Sequence, residues 1–185
     1  MLDSLLRLGY QIFVAKLRNK VVVVIGGTSG LGLSAVRAFV GEGARVVVVG
    51  RDKAKVHAAE QELGQSCAGL AADAVNPKTA ARAIQIACKK FGEFHGLYHV
   101  AGGSGRTRGD GPLHEITDEG WEFTLRQNLT SLFYSNRAAM QRFLKERKGG
   151  VILNMSSVLG FAPSPRFFAT HAYAATKAAI IGLTK

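Results

Sequence analysis

Residues 21–25 read Val-Val-Val-Val-Ile and run directly into Gly26-Gly27-Thr28-Ser29-Gly30-Leu31-Gly32. Five β-branched residues in a row suit a strand buried on both faces. The glycines behind them suit a sharp turn, and residues 31–40 then space their apolar side chains as a helix does. A buried strand, a glycine turn and a helix in that order constrain the rest of the chain. Parallel strands need crossovers of a dozen or more residues, so further strand and helix pairs must follow.

They do follow. Residues 44–49 predict a second strand, and 52–63 a polar helix with Asp52 as its cap. Residues 67–71 predict a third strand, and 77–91 a helix with Pro77 in its first turn. Residues 97–100 predict a fourth strand. Residues 117–147 read as one long helical stretch with Thr117 as N-cap, 151–155 as a fifth strand, and 171–185 as the start of another helix. Strands alternating with helices predict an α/β fold, a Rossmann-like doubly wound parallel sheet flanked by helices.

At 185 residues the chain fits one domain, read as residues 20–185. Residues 1–19 read as an amphipathic extension, with Leu2, Leu5, Leu6, Gly9, Ile12, Phe13 and Leu17 near helical spacing. The preferred reading is a helix that packs on the domain or frays. A membrane-surface contact through residues 1–19 and a mitochondrial targeting segment are the alternatives.

Composition removes several classes. The chain is 47% apolar and 20% charged, which excludes collagen-like and disordered readings. No apolar run approaches the length of a membrane span. Cys67 and Cys88 cannot form a disulfide framework, so a reducing, cytoplasmic setting is expected, with mitochondria as the alternative. Twenty-four Lys and Arg against 13 Asp and Glu give +11, which raises acidic partners. The basic residues are scattered and no nucleic-acid motif is present, so nucleic acid is set aside. No metal site is assigned. A phosphate-bearing cofactor accounts for part of the excess charge only.

The glycine turn carries chemistry. Glycine lets backbone approach a pyrophosphate closely, and a helix N-terminus presents unpaired N–H groups and a positive dipole end. Gly26, Gly30 and Gly32, with Thr28, Ser29 and Leu31 between them, are the candidate cradle. The plainer reading is a glycine-rich βα turn. Farther on, Tyr173 and Lys177 stand at i and i+4, a spacing that shares one helix face. A phenol ionises near pH 10 in water, and a cation beside it favours phenolate. Such a pair suits proton transfer to a carbonyl oxygen, though the spacing is common on amphipathic helices.

The spacing Gly-x-x-x-Gly-x-Gly at Gly26, Gly30 and Gly32 resembles the short-chain dehydrogenase/reductase family. Ile25 stands where that family usually has Thr. The end of the second strand reads Val49-Gly50-Arg51-Asp52. An acid at position 50 would suit the ribose hydroxyl of NAD, whereas Arg51 suits a 2′-phosphate. NADP(H) is therefore expected over NAD(H); the plainer reading makes Arg51 a solvated charge. The resemblance implies that Asp73 contacts adenine, and that Ala101 and Gly102 let backbone pass beside the cofactor. His99 and Val100 depart from the family's usual Asn-Asn before that pair, and His99 is read as structural.

The resemblance also implies four catalytic residues. Ser157, second of the strand-end pair Ser156-Ser157, would hydrogen-bond the substrate carbonyl. Tyr173 would be the general acid and base. Lys177 would favour the phenolate and hold the nicotinamide ribose, and Asn128 would hold a water leading from Lys177 to solvent. Tyr173 follows Ser157 by sixteen positions, longer than the family's usual interval, with the extra residues within 162–168. Family members also run well beyond a point equivalent to Lys185, so the last strands are expected to be lacking. The resemblance implies a homo-oligomer, dimer or tetramer, and a small-molecule carbonyl or alcohol substrate. The expected function is an NADP(H)-dependent oxidoreductase. The alternative is a nucleotide-binding module without turnover.

Overall fold

A computed structural model describes residues 16–162, 164 and 166–185. Residues 1–15 lie outside them, so most of the amphipathic extension expected at 1–19 does too. Five strands form one sheet: β1 (Val21–Ile25), β2 (Arg45–Gly50), β3 (Cys67–Ala71), β4 (Gly96–His99) and β5 (Val151–Asn154). Every neighbouring pair is parallel and the order is β3-β2-β1-β4-β5. The order reverses between β1 and β4, and the carboxyl ends of strands at such a point form the natural ligand crevice of an open sheet.

The strands carry apolar side chains on both faces, and helices cover both. Val21, Val23, Ile25, Val47 and Val49 pack with Ala83, Ile84 and Ala87 of α3 (Thr79–Phe91) and Ala139 and Phe143 of α5 (Ser131–Glu146). Phe94 and Phe143 stack there with centroids 4.9 Å apart. Val24, Val46 and Val48 point the other way, toward Val36 of α1 (Gly30–Gly41) and Ala59 of α2 (Lys53–Leu63). β3 and β5 are the sheet's edges among the described residues, and on β5 Val151 and Leu153 are exposed.

Local chemistry explains the boundaries. Asp52 caps α2, its Oδ1 accepting from the N–H groups of Ala54 (2.8 Å) and Lys55 (3.3 Å). Thr117 caps α4 (Asp118–Leu125), accepting from Gly120 N–H at 3.0 Å. α3 starts at Thr79, not at Pro77 as expected. The side chains of Asp73 and Asn76 take the N–H groups of Val75 and Lys78, which holds the preceding residues in turns. The stretch expected as one helix over 117–147 is broken into α4, a π-helical segment at Arg126–Thr130, and α5. The last helix, α6 (His171–Thr184), packs against α4 and the π segment. Its first residue is His171, the start expected for this helix.

Candidate active site

The glycine turn is shaped by contacts that exclude side chains. Gly26 has φ +93°, and a Cβ there would stand 2.7 Å from the backbone nitrogen of Ala101. A Cβ on Gly32 would run into the carbonyl oxygen of Gly26. The turn is pinned below by Gly26 N–H and Gly27 N–H donating to Val49 O at 2.9 and 3.1 Å. Val100 and Ala101 donate to Ile25 O at 3.0 and 2.8 Å. The turn, the end of β2 and the end of β4 are thereby fastened together.

Above them lies a cavity of about 540 Å³. Gly26, Thr28, Ser29, Leu31, Gly32, Arg51, Asp73, Ala101 and Gly102 line it; Gly30 forms the turn without lining it. Ser29, at the N-cap of α1, makes no side-chain cap bond. The glycine cradle and the uncapped helix start fit the pyrophosphate of a dinucleotide. A Cβ on Gly50 would run into the Thr28 side chain, so an acid at that place is excluded unless Thr28 moves. Arg51 is exposed and, among the described residues, makes no ion pair. Asp73 offers its Oδ1 to Val75 N–H at 3.1 Å while lining the cavity.

Several lining residues escaped the sequence reading: Val75, Phe123, Arg126 and Gln127. Phe123, near the end of α4, and Arg126, the first residue of the π segment, are three positions apart, just before Asn128. That helical spacing was the only available signal, and it is weak without the sheet to point it.

Of the other four candidates, Asn128 and Lys177 lie beside Gly102, and Tyr173 stands beside Lys177. Asn128, 1% exposed, sits in the middle of the π segment. Its Nδ2 donates to Gly103 O and Thr124 O, both at 2.9 Å, and its Oδ1 accepts from Gly103 N–H at 3.0 Å. A Cβ on Gly102 would stand 2.6 Å from Asn128 Oδ1 and 3.7 Å from Lys177 Nζ, so both polar groups flank this glycine. Lys177 is buried and donates to Met155 O at 2.8 Å. Burial lowers the pKa of its ammonium. Its Nζ stands 5.4 Å from the ring centroid of Tyr173. Ser157 caps a short 3₁₀ turn, Val158–Gly160, by accepting from Leu159 N–H at 3.2 Å. Gly160 seats that turn against the backbone of Lys177. Ser156 donates to Lys177 O at 2.8 Å, a structural task.

His99 stands inside the sheet's end. Its Nδ1 lies 2.9 Å from Ser135 Oγ and its Nε2 3.1 Å from Ala101 O. A carbonyl can only accept, so Nε2 carries the proton and Nδ1 is left as an acceptor that shares the Ser135 hydroxyl with Ser131 O, 3.1 Å away. Burial, first of all, pushes its pKa down to about 3. A neutral imidazole so placed does a structural job, as expected.

Comparison with known proteins matches residues 20–185 to the family described as short chain dehydrogenase. The chain belongs to the short-chain dehydrogenase family. It is 33% identical over 173 residues to 2-(S)-hydroxypropyl-CoM dehydrogenase 3 of Xanthobacter autotrophicus, covering 92% of this chain and 65% of the relative. It is 35% identical over 170 residues to a 3-alpha-(or 20-beta)-hydroxysteroid dehydrogenase of Mycobacterium tuberculosis, covering 92% and 62%. A short chain dehydrogenase from Mycobacterium smegmatis superposes with a TM-score of 0.82 at 29% identity, covering 91% of this chain and 69% of that one. One from Bacillus anthracis gives 0.81 at 28%, covering 91% and 66%. The chain thus spans less than two thirds of the length of these curated relatives.

Proposed function

We propose that this chain is the NADP(H)-binding and catalytic part of an oxidoreductase that interconverts a carbonyl and a secondary alcohol. The observation that carries the reading is the continuity of two half-sites. A dinucleotide-sized cavity ends at Gly102, and Asn128 and Lys177 flank that same glycine.

When bound, the nicotinamide supplies or accepts the hydride. Tyr173 gives its phenolic proton to the carbonyl oxygen in reduction and takes one from the alcohol in oxidation. Lys177 has three donors, and among the described residues only Met155 O takes one. The others are available for ribose hydroxyls, and the same Nζ stands 5.4 Å from the ring centroid of Tyr173. Ser157 orients the substrate oxygen. Asn128 fixes the backbone after Gly102 and so the wall along which the cofactor lies. Gly50 and Arg51 support the preference for the 2′-phosphate: the first leaves no acid to repel it, and the second is a guanidinium fork with no ion-pair partner among the described residues.

The substrate is a small molecule of the kind the named relatives handle, a hydroxyl or keto compound. Leu129, Phe133, Ala179 and Leu183 leave an apolar hollow between the π segment, α5 and α6, which supports assembly into a homo-oligomer. Free Cys67 and Cys88 support a reducing, cytoplasmic setting.

Titration with NADPH and NADH, followed by the fluorescence of Trp121 two residues from Phe123 of the cavity wall, tests the reading. NADPH is expected to bind at least tenfold more tightly. Equal affinities overturn the NADP preference, and binding of neither overturns the cofactor assignment.

A further inference from the structure

α6 carries Tyr173 and Lys177, yet it has no cap of its own. Thr170 at its N-cap makes no side-chain cap bond. The first N–H groups of a helix have no partner inside it, and buried ones need a partner elsewhere. Here the partners come from the loop between β4 and α4. His171 N–H donates to Gly111 O at 3.2 Å. Ala172 N–H donates to Asp110 Oδ1 at 3.1 Å, and Tyr173 N–H to Asp110 Oδ2 at 3.0 Å. One carboxylate thus takes two successive helix N–H groups, one on each oxygen, with its negative charge at the positive end of the helix.

Asp110 is itself held. It is 5% exposed, and its own N–H donates to Gly105 O at 3.1 Å. Gly109, with φ +94°, backs onto the Thr117 side chain, and Gly120 of α4 backs onto Gly109. Thr117 N–H donates to Gly109 O at 3.2 Å. The loop that presents the carboxylate is therefore seated on the start of α4, the helix that leads into the π segment with Asn128.

We propose that Asp110 is a positioning residue of the reactive end. Its carboxylate fixes the first turn of α6 and thereby sets where Tyr173 and Lys177 stand relative to Asn128. This rests on the roles given above to Tyr173 and Lys177. Asp110 is not among the residues that line the cavity; it acts through the backbone of Ala172 and Tyr173.

The test uses the full chain with Asp110→Ala and Asp110→Asn. Amide hydrogen exchange is read residue by residue by NMR. Asp110→Ala is expected to speed exchange at Ala172 and Tyr173 at least tenfold while Val47 and Val48 of β2 stay within twofold. Asp110→Asn keeps one acceptor oxygen and is expected to lie between. Unchanged protection at Ala172 and Tyr173 overturns the proposal. If Asp110→Ala does not fold, Asp110→Asn decides, and wild-type protection in that variant overturns it. A second readout uses NADPH with 9,10-phenanthrenequinone as the carbonyl probe. Here kcat is expected to fall tenfold or more with KM for NADPH within threefold, and to recover partly in Asp110→Asn. No loss in kcat, or equal losses in both constants, overturns the positioning role. Tyr173→Phe is run alongside. Full turnover by that variant, or no turnover by the wild type, counts against the oxidoreductase reading, while amide exchange still decides the role of Asp110.

Discussion

Asn128 and Gly103 hold each other from both sides. The Gly103 N–H donates to Asn128 Oδ1 at 3.0 Å, and Asn128 Nδ2 returns a bond to Gly103 O at 2.9 Å. The pair closes a ring between a helix side chain and the backbone just after Gly102. A buried donor or acceptor left alone costs about 1–3 kcal/mol. Asn128→Ala leaves both groups of Gly103 unmatched and is expected to lower the unfolding free energy by about 2–4 kcal/mol in urea. Asn128→Asp places an acceptor opposite two carbonyls and should cost at least as much. Wild-type stability in both variants would show that the ring contributes nothing.

The cofactor preference is expected to turn on Arg51. Arg51→Asp removes the guanidinium fork from the cavity edge and supplies an acceptor for a ribose hydroxyl. The NADPH-to-NADH affinity ratio should fall at least a hundredfold and invert. An unchanged ratio removes Arg51 from the phosphate.

Lys177→Met keeps an unbranched apolar stem and removes the ammonium. Turnover with phenanthrenequinone and NADPH is expected to fall by a factor of about a hundred, in the general range for loss of an acid–base partner. Tyr173→Phe is expected to abolish turnover and leave NADPH binding within threefold. If either variant turns over at the wild-type rate, the proton path does not run through this pair.

The glycines separate by what surrounds them. Gly32→Ala forces a methyl group against the Gly26 carbonyl, and overpacking of this kind costs about 1–3 kcal/mol. NADPH affinity should collapse with it. Gly41, at the last position of α1, has nothing within 4 Å of where a Cβ would be. Gly41→Ala is expected to stabilise the chain by about 0.5–1 kcal/mol through higher helix propensity. Similar urea midpoints for the two variants would contradict the packing described.

His99 gives stability an acid dependence of defined sign. Its ordinary pKa of 6.5 is pushed down to about 3 in the fold, chiefly by burial. The unfolded chain therefore takes up a proton below pH 6.5 that the folded chain refuses. The stability is fully present above pH 6.5 and is lost as pH falls toward 3. Each pH unit in that window removes up to about 1.4 kcal/mol, so pH 7 to pH 5 costs about 2 kcal/mol. His99→Gln should flatten that part of the stability profile. An equally steep profile in the variant assigns the acid loss to other groups.

The parts legible in the sequence were those whose cause is local. Val21–Ile25 announces a buried strand through β-branching alone, and Asp52 and Thr117 announce their helices through side chains that cap the next turn. Gly26, Gly30 and Gly32 mark a turn that tolerates no Cβ at two of its three positions. What stayed hidden depends on distant partners. The π segment exists where Asn128 reaches Gly103, twenty-five residues away, and local periodicity does not report that. The cap of α6 comes from Asp110, sixty-two residues before Ala172, while the adjacent Thr170 makes no side-chain cap bond. Pro77 is compatible with a first helical turn, yet the side chains of Asp73 and Asn76 hold turns there instead. Arg126 needed the sheet in place before its direction had meaning.

Gly26, Ala101 and Gly32 meet so closely that the floor of the cavity has no freedom to be resized. At the rim, by contrast, Arg51 stands exposed and free of ion pairs among the described residues. Mutational tolerance is thereby divided along the length of one ligand. Changes where the adenosine end would lie can accumulate singly and retune selectivity, whereas a change under the phosphates must be matched at once by its neighbours. Lineages descending from such a chain would therefore diversify in which dinucleotide they accept long before they diversify in how they grip it.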